Sequence, residues 1–298
     1  LINTEKIEED EKIIMNLYYS KTSGKYVTKI SSSIDKDALA SATYVNSYQS
    51  KGWDFLTISS YDKPDNKYDD SIKSYGMGYL EGVLNKDRIF SVYRNLMYFS
   101  FYDEDNKFPE NLIQYLTKNL KYMKEKSLKY MDEDPYWEHV YYIYNQMLGM
   151  FDGYNSVAEN EKKIDIIYFQ MVVANADIED AVYYNNMAKR PNFKNMTLEE
   201  IRTYTALHTH CSALVKVAND LSDVWIGHNT WTTYGTMIRT FKEYKFNKIS
   251  YSYSPECGNI SIKHDNHFYY TLKPKHKQRK IEINPVIVIL NMIIVKIW

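Results

Sequence analysis

The residue best suited by type and position to do chemistry is Cys211, because a thiolate is a strong nucleophile and a good metal ligand. The pattern of residues 211–218 predicts a strand in which Cys211, Ala213 and Val215 share one face. The thiol would then begin a buried row of side chains. Since cysteine is among the most frequently buried residue types, spacing alone favours a core residue over a nucleophile.

His208 and His210 stand beside Cys211 and suggest a metal site. In an extended segment, however, the two histidines share one face and Cys211 lies on the other. No second pair of Cys or His residues lies nearby, so neither a metal nor another cofactor is predicted. The motifs GxSxG, GxxxxGK[ST], GxGxxG and HExxH are also absent, which argues against serine hydrolases, nucleotide-binding proteins and zincins.

Composition indicates a globular protein with a sizeable core: 298 residues, 44% hydrophobic and 25% charged, with a formal net charge of -1. The charge is uneven, because residues 1–210 are acidic and residues 211–298 are basic. Five of the 12 Lys and Arg residues of 211–298 lie in the run 273–280, which is not interleaved with aromatic residues, so no nucleic-acid partner is predicted. The apolar stretch 285–298 is shorter than the roughly 20 residues of a membrane span, so no transmembrane segment is predicted.

The elements before Cys211 are predicted to be two short strands followed by helices. Alternating β-branched and aromatic residues indicate strands at Lys25–Ile30 and Trp53–Ser59. Apolar residues at helical spacing predict helices over Asn111–Tyr130, Pro135–Phe151 and Lys162–Tyr184. Thr197 followed by Glu200 is a capping box that would open a last short helix.

From Cys211 onward the pattern predicts consecutive strands at Cys211–Ala218, Asp223–Trp231 and Tyr234–Phe246. A helix-rich part is therefore followed along the chain by a sheet that starts at a cysteine.

Several of these segments resemble the phospholipase B-like (lamina ancestor) family. The resemblance is carried, in order along the chain, by Gly52-Trp53 to Ile58, Gly-Met-Gly-Tyr-Leu-Glu-Gly at 76–82, His-Cys-Ser-Ala-Leu-Val-Lys at 210–216, Gly-His-Asn-Thr-Trp at 227–231, and Tyr-Gly-Thr-Met-Ile-Arg at 234–239 with Phe-Lys-Glu-Tyr to 244.

The resemblance implies an α+β fold of the four-layer αββα type found in N-terminal-nucleophile hydrolases. Such a protein is made as a precursor and is cut before its nucleophile, here between His210 and Cys211. Residues 1–210 would be the helix-rich precursor portion and residues 211–298 the start of the nucleophile-bearing sheet. Family members continue well beyond the point where this chain stops, and residues 272–298 match nothing in the family. The second half of the fold is therefore expected to be incomplete.

The same resemblance assigns roles around Cys211. His228 would act beside the thiol as a second catalytic residue, and Trp231 would line the substrate site. Asn229 is a further polar candidate, on the opposite face from His228 if the strand is regular. Arg239 matches a family position, but the sequence leaves open whether it faces substrate or sits in a structural ion pair.

The function implied is deacylation of glycerophospholipids through an acyl-thioester on Cys211. An amidase of the same nucleophile class is an alternative, because a thiol and an amine serve esters and amides alike. A non-catalytic remnant that acts only in binding or structure is another. Packing of residues 272–298 against the strands would favour a functional core.

Glycosylation sequons occur at Asn195 and Asn259. The family is secreted or lysosomal, and both sequons are compatible with that location. The residues from Leu1 onward carry no leader-peptide pattern, so this location follows from the resemblance alone. An acyl lipid is the expected partner, and the oligomeric state stays open.

Overall fold

A computed structural model describes residues 10–62, 68–99, 109–186, 190–208, 211–217, 219–220, 224–230, 239–245, 261–264 and 268–271. Statements about the structure refer to these residues. The strands are β1 (Glu11–Ser20), β2 (Lys25–Ser31), β3 (Ala40–Asn46), β4 (Asp54–Ser60), β5 (Cys211–Val217), β6 (Val224–Thr230), β7 (Thr240–Lys245), β8 (Ser261–His264) and β9 (Phe268–Thr271). The helices are α1 (Tyr48–Lys51), α2 (Asp70–Leu84), α3 (Lys86–Phe99), α4 (Glu110–Tyr130), α5 (Pro135–Val157), α6 (Ile166–Val173), α7 (Asn175–Asn185) and α8 (Leu198–His208).

The main sheet has five strands in the order β2-β1-β3-β4-β7. Neighbours are antiparallel except β4 and β7, which run parallel with Asp54 opposite Thr240. Although β7 follows Cys211 in sequence, it completes a sheet whose other strands all precede that residue. The predicted strands Lys25–Ile30 and Trp53–Ser59 are confirmed as β2 and β4.

Helix α2 covers one face of this sheet. Its Met77 and Leu80 are buried against Leu17 of β1 and Leu56 of β4 in one apolar core. Two further cores lie among helices α3 to α7. Burial of these apolar faces is the main force that holds the helices in place.

Helices α2 and α5 approach unusually closely because each carries two glycines four residues apart. A Cβ built on Gly78 would lie 1.9 Å from the Gln146 backbone oxygen, and one built on Gly149 would lie 1.9 Å from the Tyr75 backbone oxygen. A Cβ built on Gly82 would lie 2.1 Å from the Met150 backbone oxygen. Gly78 contacts Gln146, and Gly82, one turn later in α2, contacts Met150, one turn later in α5. The two helices therefore run parallel.

The helical predictions are confirmed with one correction. α4 and α5 match the predicted segments, although α5 continues to Val157. The single helix predicted over Lys162–Tyr184 is wrong: α6 and α7 are separated at Ala174, and the Asp165 side chain caps α6 by accepting from the Ile167 N–H. Apolar periodicity continues across this break, which is why the sequence pattern missed it.

The predicted capping box is confirmed at the start of α8. The Thr197 Oγ1 accepts from the Glu200 N–H at 3.2 Å, and the Glu200 carboxylate accepts from the Thr197 N–H at 2.7 Å. The reciprocal bonds satisfy backbone donors at the helix start. They also hold the pKa of Glu200 below its usual value.

The mixed architecture confirms the expected α+β class. None of the described helices is long and apolar enough to cross a membrane. Residues 272–298, which include the apolar stretch 285–298, lie outside the described residues. The prediction that their packing would distinguish a functional core from a non-catalytic remnant therefore stays a prediction.

Candidate active site

The predicted nucleophile stands at the first position of a strand. β5 begins at Cys211 and pairs antiparallel with β6, so that Cys211 lies opposite Thr230 and Ala213 lies opposite His228. Directly opposite residues share a face of an antiparallel ladder. Cys211 and His228 are therefore diagonal neighbours on one face, about 7–8 Å apart between Cα atoms.

The register also places Asn229 opposite Ser212, on the other face of the ladder from His228. Trp231, His210 and the peptide bond predicted to be cut lie outside the described residues, as does the sequon at Asn259. Of the predicted site residues, Cys211 and His228 are placed on one face of the β5–β6 ladder by the strand register.

The expectation that Cys211 begins a buried row is not met farther along β5. Val215 and Val217 on the same face are 61% and 48% exposed. In the part of the chain that the structure describes, β5 and β6 form a separate two-stranded sheet. That small sheet leaves an apolar strip uncovered beyond the candidate nucleophile.

Strand β7 is tied to the helices by a buried ionic cluster. The Glu81 carboxylate of α2 accepts from the Lys242 ammonium and from the Tyr244 hydroxyl, and all three residues are at least nine-tenths buried. Burial, reinforced by the Glu81 carboxylate, raises the pKa of Tyr244 well above its usual value. These contacts join residues on the two sides of Cys211.

A second polar cluster lies where β4 begins. The fully buried Asp54 carboxylate accepts from the Arg88 Nε at 2.7 Å and from the Tyr44 hydroxyl at 3.2 Å. Its other oxygen accepts from the backbone N–H groups of Ser47 and Tyr48, at 3.1 and 2.9 Å. The four bonds fill the acceptor capacity of one carboxylate.

Arg239 is not in an ion pair with any carboxylate among the described residues. Its guanidinium lies over the Tyr48 ring, with the Cζ atom 5.1 Å from the centroid, and Nη2 donates to the Tyr48 hydroxyl at 3.4 Å. Its backbone carbonyl accepts from the Asp54 N–H at 2.9 Å.

The segments that carry the family resemblance meet in space. Tyr-Leu-Glu-Gly of α2 supplies the close helix contact at Gly82 and the carboxylate of Glu81, whereas Phe-Lys-Glu-Tyr of β7 supplies Lys242 and Tyr244. Sequence reasoning named both segments but missed the roles of these residues. Two sequence signals could have indicated a buried polar cluster. One is a glutamate within an apolar stretch of α2, and the other is a lysine and a tyrosine two positions apart in β7.

Asn195 is exposed in a short 3-10 turn over Phe193–Asn195, so the sequon asparagine is accessible. Its Thr197 serves as the cap of α8 described above. Within the residues that the structure describes, no group of three or more His, Cys, Asp or Glu side chains is placed to hold a metal ion.

A mixed sheet packed by helices, with a hairpin that begins at a cysteine, places the chain among α+β proteins. The sequence pattern of the Phospholipase B family matches residues 40–263, and the chain belongs to this family.

Curated relatives have matching names. Phospholipase B-like protein D of Dictyostelium discoideum is 32% identical over 212 residues, which are 71% of this chain and 36% of that protein. Phospholipase B-like protein C of the same organism is 29% identical over 248 residues, 81% of this chain and 41% of the relative. Putative phospholipase B-like 2 of Homo sapiens is 27% identical over 214 residues, 70% of this chain and 33% of the relative. The chain thus spans about two fifths or less of the length of these relatives.

Proposed function

We propose that this chain is the nucleophile-bearing part of a phospholipase B-like hydrolase that acts after cleavage between His210 and Cys211. The observation that carries the proposal is the start of β5 at Cys211, with His228 on the same face of the ladder. Membership of the Phospholipase B family supports an ester-hydrolysing function. The four-layer αββα core of N-terminal-nucleophile hydrolases is part of the proposal, with the five-stranded sheet and α2 as two of its layers.

In the cleavage step, the Cys211 thiolate attacks the His210 carbonyl carbon and displaces the Cys211 amide nitrogen, which takes up a proton. Water then hydrolyses the resulting thioester, releasing the His210 carboxylate, the thiol and a free α-amino group. An α-amino group with an unperturbed pKa near 8 can accept the thiol proton at neutral pH. One residue then supplies both the nucleophile and its base.

In the catalytic cycle, the Cys211 thiolate attacks the ester carbonyl of a glycerophospholipid and the glycerol oxygen leaves with a proton from the α-amino group. Water hydrolyses the acyl-thioester and regenerates the thiol. His228 stands on the same face and is assigned a hydrogen bond to the substrate carbonyl or to the thiol. Trp231 and Asn229 are assigned to substrate binding.

A non-catalytic role is the second candidate. The observation that favours it is the exposure of Val215 and Val217. In that role Cys211 is never freed. The family resemblance further leads us to propose a secreted or lysosomal, glycosylated protein, with Asn195 and Asn259 as acceptor sites.

The catalytic proposal predicts release of fatty acid from phosphatidylcholine by the purified chain, measured by mass spectrometry. We expect Cys211→Ala to reduce release to background, because no other group replaces the thiolate, and His228→Ala to reduce it about 100-fold. Thr117→Ala on the exposed face of α4 is the control and should retain activity.

A parallel assay with an N-acyl amide distinguishes an amidase from a lipase. Unchanged release in Cys211→Ala, from either substrate, would contradict the mechanism.

A further inference from the structure

The ring of Tyr48 in α1 is contacted by two arginines. The Arg88 Cζ atom lies 4.6 Å from the centre of its ring, and the Arg239 Cζ atom lies 5.1 Å from the same centre. Stacking on an aromatic ring stabilises a guanidinium but does not neutralise its charge. Each arginine therefore keeps its positive charge, which an anion can pair with.

Only one of these charges is matched among the described residues. Arg88 is paired with Asp54, whose two oxygens already accept four hydrogen bonds. Asp54 therefore has no acceptor left for Arg239. The Nε of Arg239 is buried and has no hydrogen-bond partner within the described part of the chain. The cluster of Arg88, Asp54 and Arg239 carries one net positive charge.

The Arg239 guanidinium lies beside a glycine and not beneath a side chain at this point. Gly52 has a φ of 75°, and a Cβ built there would lie 3.5 Å from the Arg239 Nη1 atom. Glycine avoids both the strain of that conformation and a side chain over the guanidinium. Arg239 and Tyr48 are both partly exposed.

We propose that Arg239 and Tyr48 form a binding site for a phosphate group. A guanidinium offers two parallel N–H donors that match two phosphate oxygens. The Tyr48 hydroxyl accepts from Arg239 at 3.4 Å, so its own proton is left to donate to a third oxygen. Two guanidinium N–H groups and the hydroxyl would together supply three donors, which suits a tetrahedral phosphate better than a planar carboxylate.

The source of the phosphate is either a glycerophospholipid headgroup or free phosphate. The first choice rests on the proposed function, whereas the site itself does not. Binding is therefore measured with the full chain carrying Cys211→Ala, so that neither cleavage nor acyl transfer enters the result. The probes are inorganic phosphate, glycerophosphocholine, and acetate as a carboxylate, each titrated by calorimetry at low salt.

We expect inorganic phosphate to bind saturably, and Arg239→Gln to weaken its binding at least about tenfold. Arg239→Lys should restore only part of the affinity, because an ammonium keeps the charge but lacks the two parallel N–H donors of a guanidinium. The matched control is Arg190→Gln: Arg190 also lies over a tyrosine, Tyr184, but its Nε and Nη2 donate to backbone carbonyls. That variant should bind phosphate like the parent chain.

Competition by glycerophosphocholine would support the headgroup as the source of the phosphate. Equal affinity for acetate, or equal phosphate affinity in the Arg239→Gln and parent chains, would overturn the proposal. Circular dichroism of each variant verifies that a lost signal does not come from unfolding. Acyl release in the preceding assay does not enter this test, so failure of one proposal leaves the other standing.

Discussion

Replacing Glu81 with leucine is expected to lower the free energy of unfolding by about 3–5 kcal/mol. The change leaves the Lys242 ammonium buried without the carboxylate that accepts its hydrogen bond. It also removes the acceptor of the Tyr244 hydroxyl. Urea denaturation followed by circular dichroism measures the loss.

The matched control for this change is Glu243→Leu, one residue from Lys242 on β7. Glu243 pairs with Lys245 at 2.9 Å, but both side chains are substantially exposed, so the pair should contribute less than about 1 kcal/mol. The double variant Glu81→Leu with Lys242→Met should recover much of the loss, since an apolar replacement of both charges leaves neither unpaired. Equal destabilisation by Glu81→Leu and Glu243→Leu would contradict the buried cluster.

Gly149→Ala is expected to destabilise the protein by about 3 kcal/mol, even though alanine is the better helix former by about 1 kcal/mol. The added methyl group would lie 1.9 Å from the Tyr75 backbone oxygen. A backbone atom cannot rotate away, so α2 and α5 would have to move apart and lose packing along their length. Thermal unfolding reports the effect.

Gly76→Ala in α2 serves as the control for that experiment. Its new methyl group would meet the Leu39 and Leu17 side chains at 2.8 and 3.0 Å, and these can change rotamer. A cost near 1 kcal/mol or less is expected. If Gly149→Ala proved no more destabilising than Gly76→Ala, the close glycine contact between α2 and α5 would be refuted.

Local patterns in the sequence predicted the elements whose determinants are local. The capping box at Thr197, the amphipathic helix α4 and the strand β5 at Cys211 each depend on residues within a few positions of one another. The break at Ala174 was missed because apolar periodicity runs through it. Strand β1 was missed because its buried Asn16 interrupts the apolar pattern, while its side chain holds the loop at Asp35.

The non-local arrangement could not be predicted from such patterns. Pairing of β4 with β7 joins residues more than 180 positions apart, and the Glu81–Lys242 contact bridges 161. The sequence indicated consecutive strands after Cys211, but β7 pairs with β4 rather than with β6. For the candidate site, the sequence named Cys211 and His228, and the register of β5 and β6 brings them to one face.

The central claim is that Cys211 becomes a chain terminus. The most direct test is the intact mass and N-terminal sequence of the expressed chain, with and without Cys211→Ala. We predict a new N-terminus at Cys211 that is absent in the variant, because the thiol itself makes the cut. An uncut parent chain would contradict self-processing and favour the non-catalytic role, whereas a cut that persists in Cys211→Ala would contradict self-processing and show that another protease makes the cut.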